Sequence, residues 1–437
     1  MASPLFLAIL FKNAGHESWI PAIVGAALGF VVSYMIMTLY NLNKGKELAG
    51  ICKAAFGKTA GIFFAVLYLL FFFFHLCSNV SQVSEFLSTY VLPETPIPVI
   101  IALLVVACTV SARRKSGPLC GMAFWLFLLV SGYTVLSVFF LQDKMNPENF
   151  LPVLSLDGGS YVKSAVTTVA ELFSGLTIFL VFFNEEGGND NLRKPVLIGY
   201  LLAAAIIVLA ALRDCAVFGP FSKYLTAPSL QSARMISFGE ILSRVELLYV
   251  LLFVCVIFFK FSLSIYAISK LFSSVTGCGR NYAYVWPVGI LLFGVSIVSF
   301  RSYADLLDWG ESYMPLYIWL FEVILPAVML LICAVKLGVR NMKIRAAGVL
   351  GLKQAEAGQP PETGKDGNSE NAEMPENAEA QNDAFEKKSR LCFTWTLTSC
   401  ILITGVIAVL LLFGVRVPSP FTVFIWIAKS IYRIFGF

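Results

Sequence analysis

The chain has 437 residues, of which 58% are hydrophobic and 14% charged, and its formal net charge is +5. A soluble domain carries about 25% charged residues, so this composition excludes an ordinary soluble enzyme domain. The basic residues are scattered over short stretches, which excludes the concentrated basic face that nucleic-acid binding needs.

The apolar residues come in blocks the length of a bilayer span, the pattern of a polytopic all-α membrane protein. In chain order the first block, residues 2–11, is too short to cross alone. Residues 20–39, 61–80 (extending toward Tyr90), 97–112 and 119–141 complete a first group of five. Residues 164–183, 195–212, 247–268, 285–300 and 313–337 form a second five. An extra segment, 392–415, follows a polar stretch at 353–390 that is rich in Glu, Asn, Ala, Gly and Lys. That stretch reads as a disordered cytoplasmic linker, because it has too few apolar groups to offset chain entropy. The tail 420–437 alternates aromatics with Lys429 and Arg433 and suits an interfacial amphipathic helix. The expected organisation is a membrane domain at 1–345, a linker at 346–391, and an additional span with its tail at 392–437.

Lys and Arg are retained on the cytoplasmic side of a membrane. Lys44, Lys46, Lys53 and Lys58 follow the second segment; Arg113, Arg114 and Lys115 follow the fourth; Lys336, Arg340, Lys343 and Arg345 follow the tenth. The N-terminus is therefore expected in the cytoplasm. The loop between segments seven and eight, with Arg213, Lys223, Arg234 and Arg244, is a long external exception. Two groups of five, opposed in orientation, suggest the inverted repeat of many secondary transporters, whose sites lie where midplane helices break.

No CxxC pair joins the ten cysteines, which read as small buried hydrophobes, and two distant histidines do not suggest a metal site. No HExxH, GxSxG or P-loop motif occurs, and Glu185-Glu186-Gly187-Gly188 reads as a cytoplasmic turn. No enzyme chemistry, metal or cofactor is expected.

Ionisable residues inside spans are costly and point to function. Lys260 sits in segment eight with Ser264 one turn on, on the same face. Either Lys260 takes the place of a coupling cation or binds a substrate carboxylate, or it is a structural cation that snorkels to an interface. In segment six Glu171 precedes Ser174, Gly175 and Thr177. That run marks either an unwound stretch whose backbone binds a ligand or a small-residue face for close helix packing. Glu322 lies four residues before Pro326, where it partners Lys260, takes a proton, or is a satisfied interior carboxylate. His75 reads as a packed histidine hydrogen-bonded to a neighbouring helix, and Glu85 falls near the end of segment three.

Phe218-Gly219-Pro220, LTAPSL at 225–230 and ARMISFGEILSR at 233–244 resemble the loop before segment eight in the spore-germination permease family. FKFSL at 259–263, NFLPVL at 149–154 and Ser18-Trp19-Ile20 are also similar to that family. Its members are the B subunits of nutrient germinant receptors, in the amino acid–polyamine–organocation superfamily. The resemblance implies a leucine-transporter-type fold with a five-plus-five inverted repeat, and a role in sensing a small nutrient, an amino acid above all. It also implies the spore inner membrane as location, with A-type and lipoprotein C-type subunits as partners. By the same analogy segment six contributes Phe173, Ser174, Gly175 and Thr177 to the ligand. The family has a complete first helix with a Gly break, so the first helix here is expected to be truncated. It often has a Glu shortly after the segment-six Gly, where Thr177 stands.

Overall fold

A computed structural model describes residues 4–114, 116–155, 158–182, 192–236, 245–277, 281–300 and 302–336. The polar linker, the extra segment and the tail lie outside the described residues, as do Glu185–Gly188 and the ARMISFGEILSR motif beyond Ile236. The described chain is helical, with no strand among the described residues. The first five segments are α1 (Pro4–Ala14), α2 (Trp19–Leu42), α4 (Lys58–Tyr90), α5 (Ile97–Ala112) and α6 (Ser116–Leu141), with a short α3 (Leu48–Phe56) between the second and third. The second five are α7 (Gly158–Phe173) with its stub α8 (Phe179–Phe182), then α9 (Arg193–Phe218), α11 (Val245–Thr276), α12 (Val285–Ser299) and α14 (Met314–Lys336). Two short helices, α10 (Pro228–Met235) and α13 (Tyr303–Asp308), sit in connections at one end, here called the α10 end; α3 marks the other.

Helix punctuation follows the local chemistry. α4 starts after Gly57 (φ +89), and α9 stops at Gly219 (φ +50) before Pro220. Pro98 and Pro228 lie in the first turns of α5 and α10, where a missing N–H costs nothing. α4 runs through to Tyr90, using the extension beyond residue 80. Six helices among the described residues are long and apolar enough to cross a bilayer, or seven if the bent pair Val285–Ser299 and Tyr303–Glu311 counts as one span. α1, α5 and the α7–α8 segment fall short of that length, the last because it is broken.

The inverted repeat is visible in packing. α1 lies against α7, α2 against α9, α4 against α11 and α5 against α12, so segments one to four each touch their counterparts five places on. One crossed pair is mirrored as well: α4 meets α12 as α5 meets α11. Such pairing is what a pseudo-two-fold axis in the membrane plane requires. α2 and α7 approach closely at Gly25, where an added Cβ would fall 2.4 Å from Thr168 Cγ2. Large apolar side chains such as Leu103, Phe124, Trp125 and Leu331 face outward, as lipid-facing positions do.

Arg213 departs from its expected place in a loop. α9 extends past it, because the Arg213–Asp214 pair neutralises both charges in the helix. The residues are 4% and 0% exposed, with Arg213 Nη2 2.7 Å from Asp214 Oδ1.

Candidate functional site

Segment six is unwound at its middle. α7 ends at Phe173, turns run through residues 174–178, and α8 begins at Phe179. Gly175 has φ +99, and a Cβ there would meet nothing within 4 Å. Its lack of a side chain therefore serves the backbone conformation, not close packing of helices. A break inside a membrane exposes amide groups that lipid cannot satisfy. Glu322 supplies the acceptors: its Oε1 takes the Gly175 N–H at 3.1 Å and its Oε2 the Thr177 N–H at 2.8 Å. Glu322 is 0% exposed and sits in a π-helical stretch, Trp319–Ile324, just before Pro326. That wider turn also leaves the Phe321 carbonyl to accept from Tyr68 Oη at 3.0 Å. At the far end of the break, Lys270 Nζ donates to the Val181 carbonyl at 2.7 Å and lies 3.3 Å from Glu47 Oε1. A carboxylate thus meets the amides of the break and an ammonium meets the carbonyl end of α8, each the sign that the helix dipoles favour.

Beside the break lies a cavity of about 420 Å³. α4 contributes Phe72, His75 and Asn79; the break contributes Ser174 and Gly175; α11 contributes Lys260 and Ser264; α9 closes it with Tyr200 and Ala203. A polar chain crosses this space. Lys260 Nζ donates to Asn79 Oδ1 at 3.0 Å. An ammonium can only donate, so the Asn79 nitrogen must face the other way. It donates to the His75 carbonyl at 2.7 Å and lies 3.1 Å from His75 Nε2. The same ring nitrogen is 2.6 Å from Ser174 Oγ. Asn79 Nδ2 and Ser174 Oγ both face this one ring nitrogen, which has a single site to offer and serves one of them at a time. Lys260 is thereby linked through α4 to the residue that opens the break.

The sequence-predicted residues separate into groups. Ser174, Gly175, Lys260 and Ser264 line the cavity together, and Ser264 Oγ donates to the Lys260 carbonyl at 2.8 Å. Thr177 and Glu322 are fully buried and do not line it. Of the roles open to Glu322, the hydrogen bonds are those of a satisfied interior carboxylate: both its oxygens accept the amides of the break, while Lys260 donates to Asn79. Those two amides are in turn not free to bind a ligand. The backbones of Glu171 and Phe173 close α7, and their side chains lie outside the described residues. Sequence reasoning missed Asn79 and gave His75 no role in a site. Their signal was the spacing of two polar residues four apart in an aromatic run, which puts them on one helix face.

A model of the family described as spore germination protein matches residues 2–304. Spore germination protein KB of Bacillus subtilis strain 168 is 24% identical over 332 residues, covering 74% of this chain and 88% of that protein. Spore germination protein XB of Bacillus anthracis is 21% identical over 310 residues, covering 69% and 83%. Among solved structures, a point mutant of a manganese transporter of Eremococcus coleocola aligns over 93% of this chain and 92% of its own, with 10% identity and a TM-score of 0.42. The family match spans well over half the sequence and includes the broken segment six, Lys260 and the linking residues of α4: the chain belongs to the spore germination protein family, as an integral membrane protein with a receptor or permease-like role.

Proposed function

We propose that this chain is the nutrient-binding B subunit of a spore germinant receptor and that its ligand is an amino acid held at the break in segment six. The observation that carries this is the Lys260–Asn79–His75–Ser174 chain along the 420 Å³ cavity. Small-molecule sites typically measure about 300–1,000 Å³ and combine apolar walls with a few polar groups. Lys260 offers a cation for a carboxylate, and Phe72, Phe179, Tyr200 and Phe259 offer an apolar wall for a side chain. A ligand carboxylate at Lys260 competes with Asn79 Oδ1. Releasing Asn79 loosens its hold on His75 and on Ser174, so binding alters the hinge of segment six. Glu171, Phe173 and Thr177 belong to the hinge in this reading, while Ser264 keeps Lys260 on the cavity face and Glu322 braces the break.

The α3 end carries Lys44, Lys46, Lys53, Lys58, Arg113 and Lys336. This bias supports a cytoplasmic α3 end, in the spore inner membrane or the plasma membrane. A-type and lipoprotein C-type subunits are the partners this role requires. A second reading, a proton-coupled amino-acid permease, is favoured by Glu322, a buried carboxylate whose protonation would free the two amides of the break.

A thermal-shift screen of amino acids on the purified full chain in lipid nanodiscs tests the proposal. The expected result is at least one amino acid that raises Tm in the wild type and has no effect on Lys260→Met. No shift with any amino acid, or equal shifts in the variant, would overturn it. Uptake of the stabilising amino acid into vesicles by this chain alone under a pH gradient would favour the permease.

A further inference from the structure

We infer, resting on the amino-acid site proposed above, that the central cavity selects an amino acid with a large, uncharged, apolar side chain, and that Gly199 and Ala203 of α9 set how large.

Charge decides first. Lys260 is the one Lys, Arg, Asp or Glu among the described residues lining the cavity. A ligand carboxylate uses that charge. The Asn79 Oδ1 it displaces then accepts from the ligand ammonium, beside His75 Nε2 and Ser174 Oγ on the same polar chain. A further charge on the ligand side chain would give up its hydration with no counter-ion. Two other lining hydroxyls have already placed their protons. Ser264 Oγ donates to the Lys260 carbonyl at 2.8 Å, and Tyr200 Oη to the Ala26 carbonyl of α2 at 2.9 Å. A polar side chain would therefore exchange the hydrogen bonds of water for few in return. Phe72, Leu76, Ile178, Phe179, Phe259 and Leu263 line the space beyond the polar chain.

Size comes from α9. Gly199 and Ala203 are four residues apart, so they share one helix face, and both line the cavity. Gly199 stands inside α9, where glycine weakens a helix. Its φ is not positive, and an added Cβ would meet nothing within 4 Å. Neither the backbone nor close packing thus requires glycine there; what it provides is room. An apolar cavity of about 150 Å³ holds benzene, so about 420 Å³ takes an amino-acid head and a side chain of leucine or phenylalanine size.

The test is thermal-shift titration of single amino acids on the full chain in nanodiscs, for the wild type and Gly199→Leu. Leucine, methionine or phenylalanine should raise the wild-type Tm at concentrations at least about tenfold below those of alanine or glycine, the scale on which an apolar pocket discriminates by methylenes. Glutamate and lysine should have no effect. Gly199→Leu puts a good helix former over open space, so it should fold. It should raise the phenylalanine concentration needed by at least about tenfold and leave that of alanine unchanged. Ala203→Val narrows the same face one turn on and serves if Gly199→Leu lowers the ligand-free Tm. Alanine or a charged amino acid as the best Lys260-dependent ligand would overturn this selectivity and leave the proposed function standing. A phenylalanine response unchanged in both variants would overturn the role of α9. No response to any amino acid would overturn the selectivity and the proposed function together.

Discussion

The Thr177 amide donates to the Glu322 carboxylate at 2.8 Å, so a side chain of α14 completes the hydrogen bonding of a helix broken elsewhere in the chain. The Gly175 amide does the same at 3.1 Å. Removing the acceptor strands two buried N–H groups, each costing about 1–3 kcal/mol. Glu322→Ala is therefore expected to destabilise the protein by about 2 kcal/mol or more. Glu322→Gln keeps one acceptor oxygen and should lose less. Thermal unfolding in one lipid composition ranks the three; a wild-type Tm for Glu322→Ala would refute the bracing role.

Lys260 and Asn79 should behave unequally when each is removed. An ammonium near the centre of a span costs about 3 kcal/mol on insertion scales. Lys260→Met removes that cost together with the donor to Asn79 Oδ1. Asn79→Leu keeps the ammonium, with its desolvation cost, and takes away one acceptor at 3.0 Å. Asn79→Leu is thus expected to lower Tm more than Lys260→Met, although both should lose the ligand response. Parallel measurement of Tm and of amino-acid-triggered germination checks this; germination undiminished in Lys260→Met would sink the role given to the ammonium.

At the α10 end Glu311 joins Lys12 of α1 at 2.7 Å and Lys163 of α7 at 2.8 Å. The lysine side chains are 56% and 52% exposed, so the pairs are screened and weak. Glu311→Gln should cost less than about 1 kcal/mol. Its signature is salt dependence: raising NaCl from low to high concentration lowers the wild-type Tm slightly and leaves the variant unmoved. Equal salt slopes would mean the clamp contributes nothing to holding α1 and α7 against the start of α14.

The span pattern was legible because apolar blocks of bilayer length have few other structures open to them. The break was half legible. Gly175 with small polar neighbours fitted both a hinge and a packing face, and only its φ of +99 over open space distinguishes them. Lys260 stood out as a charge in lipid, but charge alone left Glu322 open as its partner, as a proton acceptor or as a satisfied interior carboxylate. The structure pairs Lys260 with Asn79, because α4 packs on α11 whereas Glu322 is drawn to unsatisfied amides that no residue pattern announces. Arg213 looked like a loop charge for a related reason: Asp214 beside it neutralises it, but Ser137 of α6 and Ser229 of α10, whose hydroxyls complete the buried pair's hydrogen bonding, come from other elements.

Two glycines separate strain from crowding. Ala at Gly175 must hold φ near +99 with nothing nearby to strike, a backbone cost of about 1–3 kcal/mol. Ala at Gly25 keeps ordinary helical backbone but puts its Cβ 2.4 Å from Thr168 Cγ2 and 2.7 Å from Thr168 Cβ, an overpacking cost of about 1–3 kcal/mol. Thr168→Ala removes the nearer of those atoms. It should therefore restore part of the Tm lost in Gly25→Ala and none of that lost in Gly175→Ala. Both double variants, measured beside their parents by thermal unfolding, decide the matter. Rescue of Gly175→Ala by Thr168→Ala would mean that position 175 is crowded after all and that the break is set by packing.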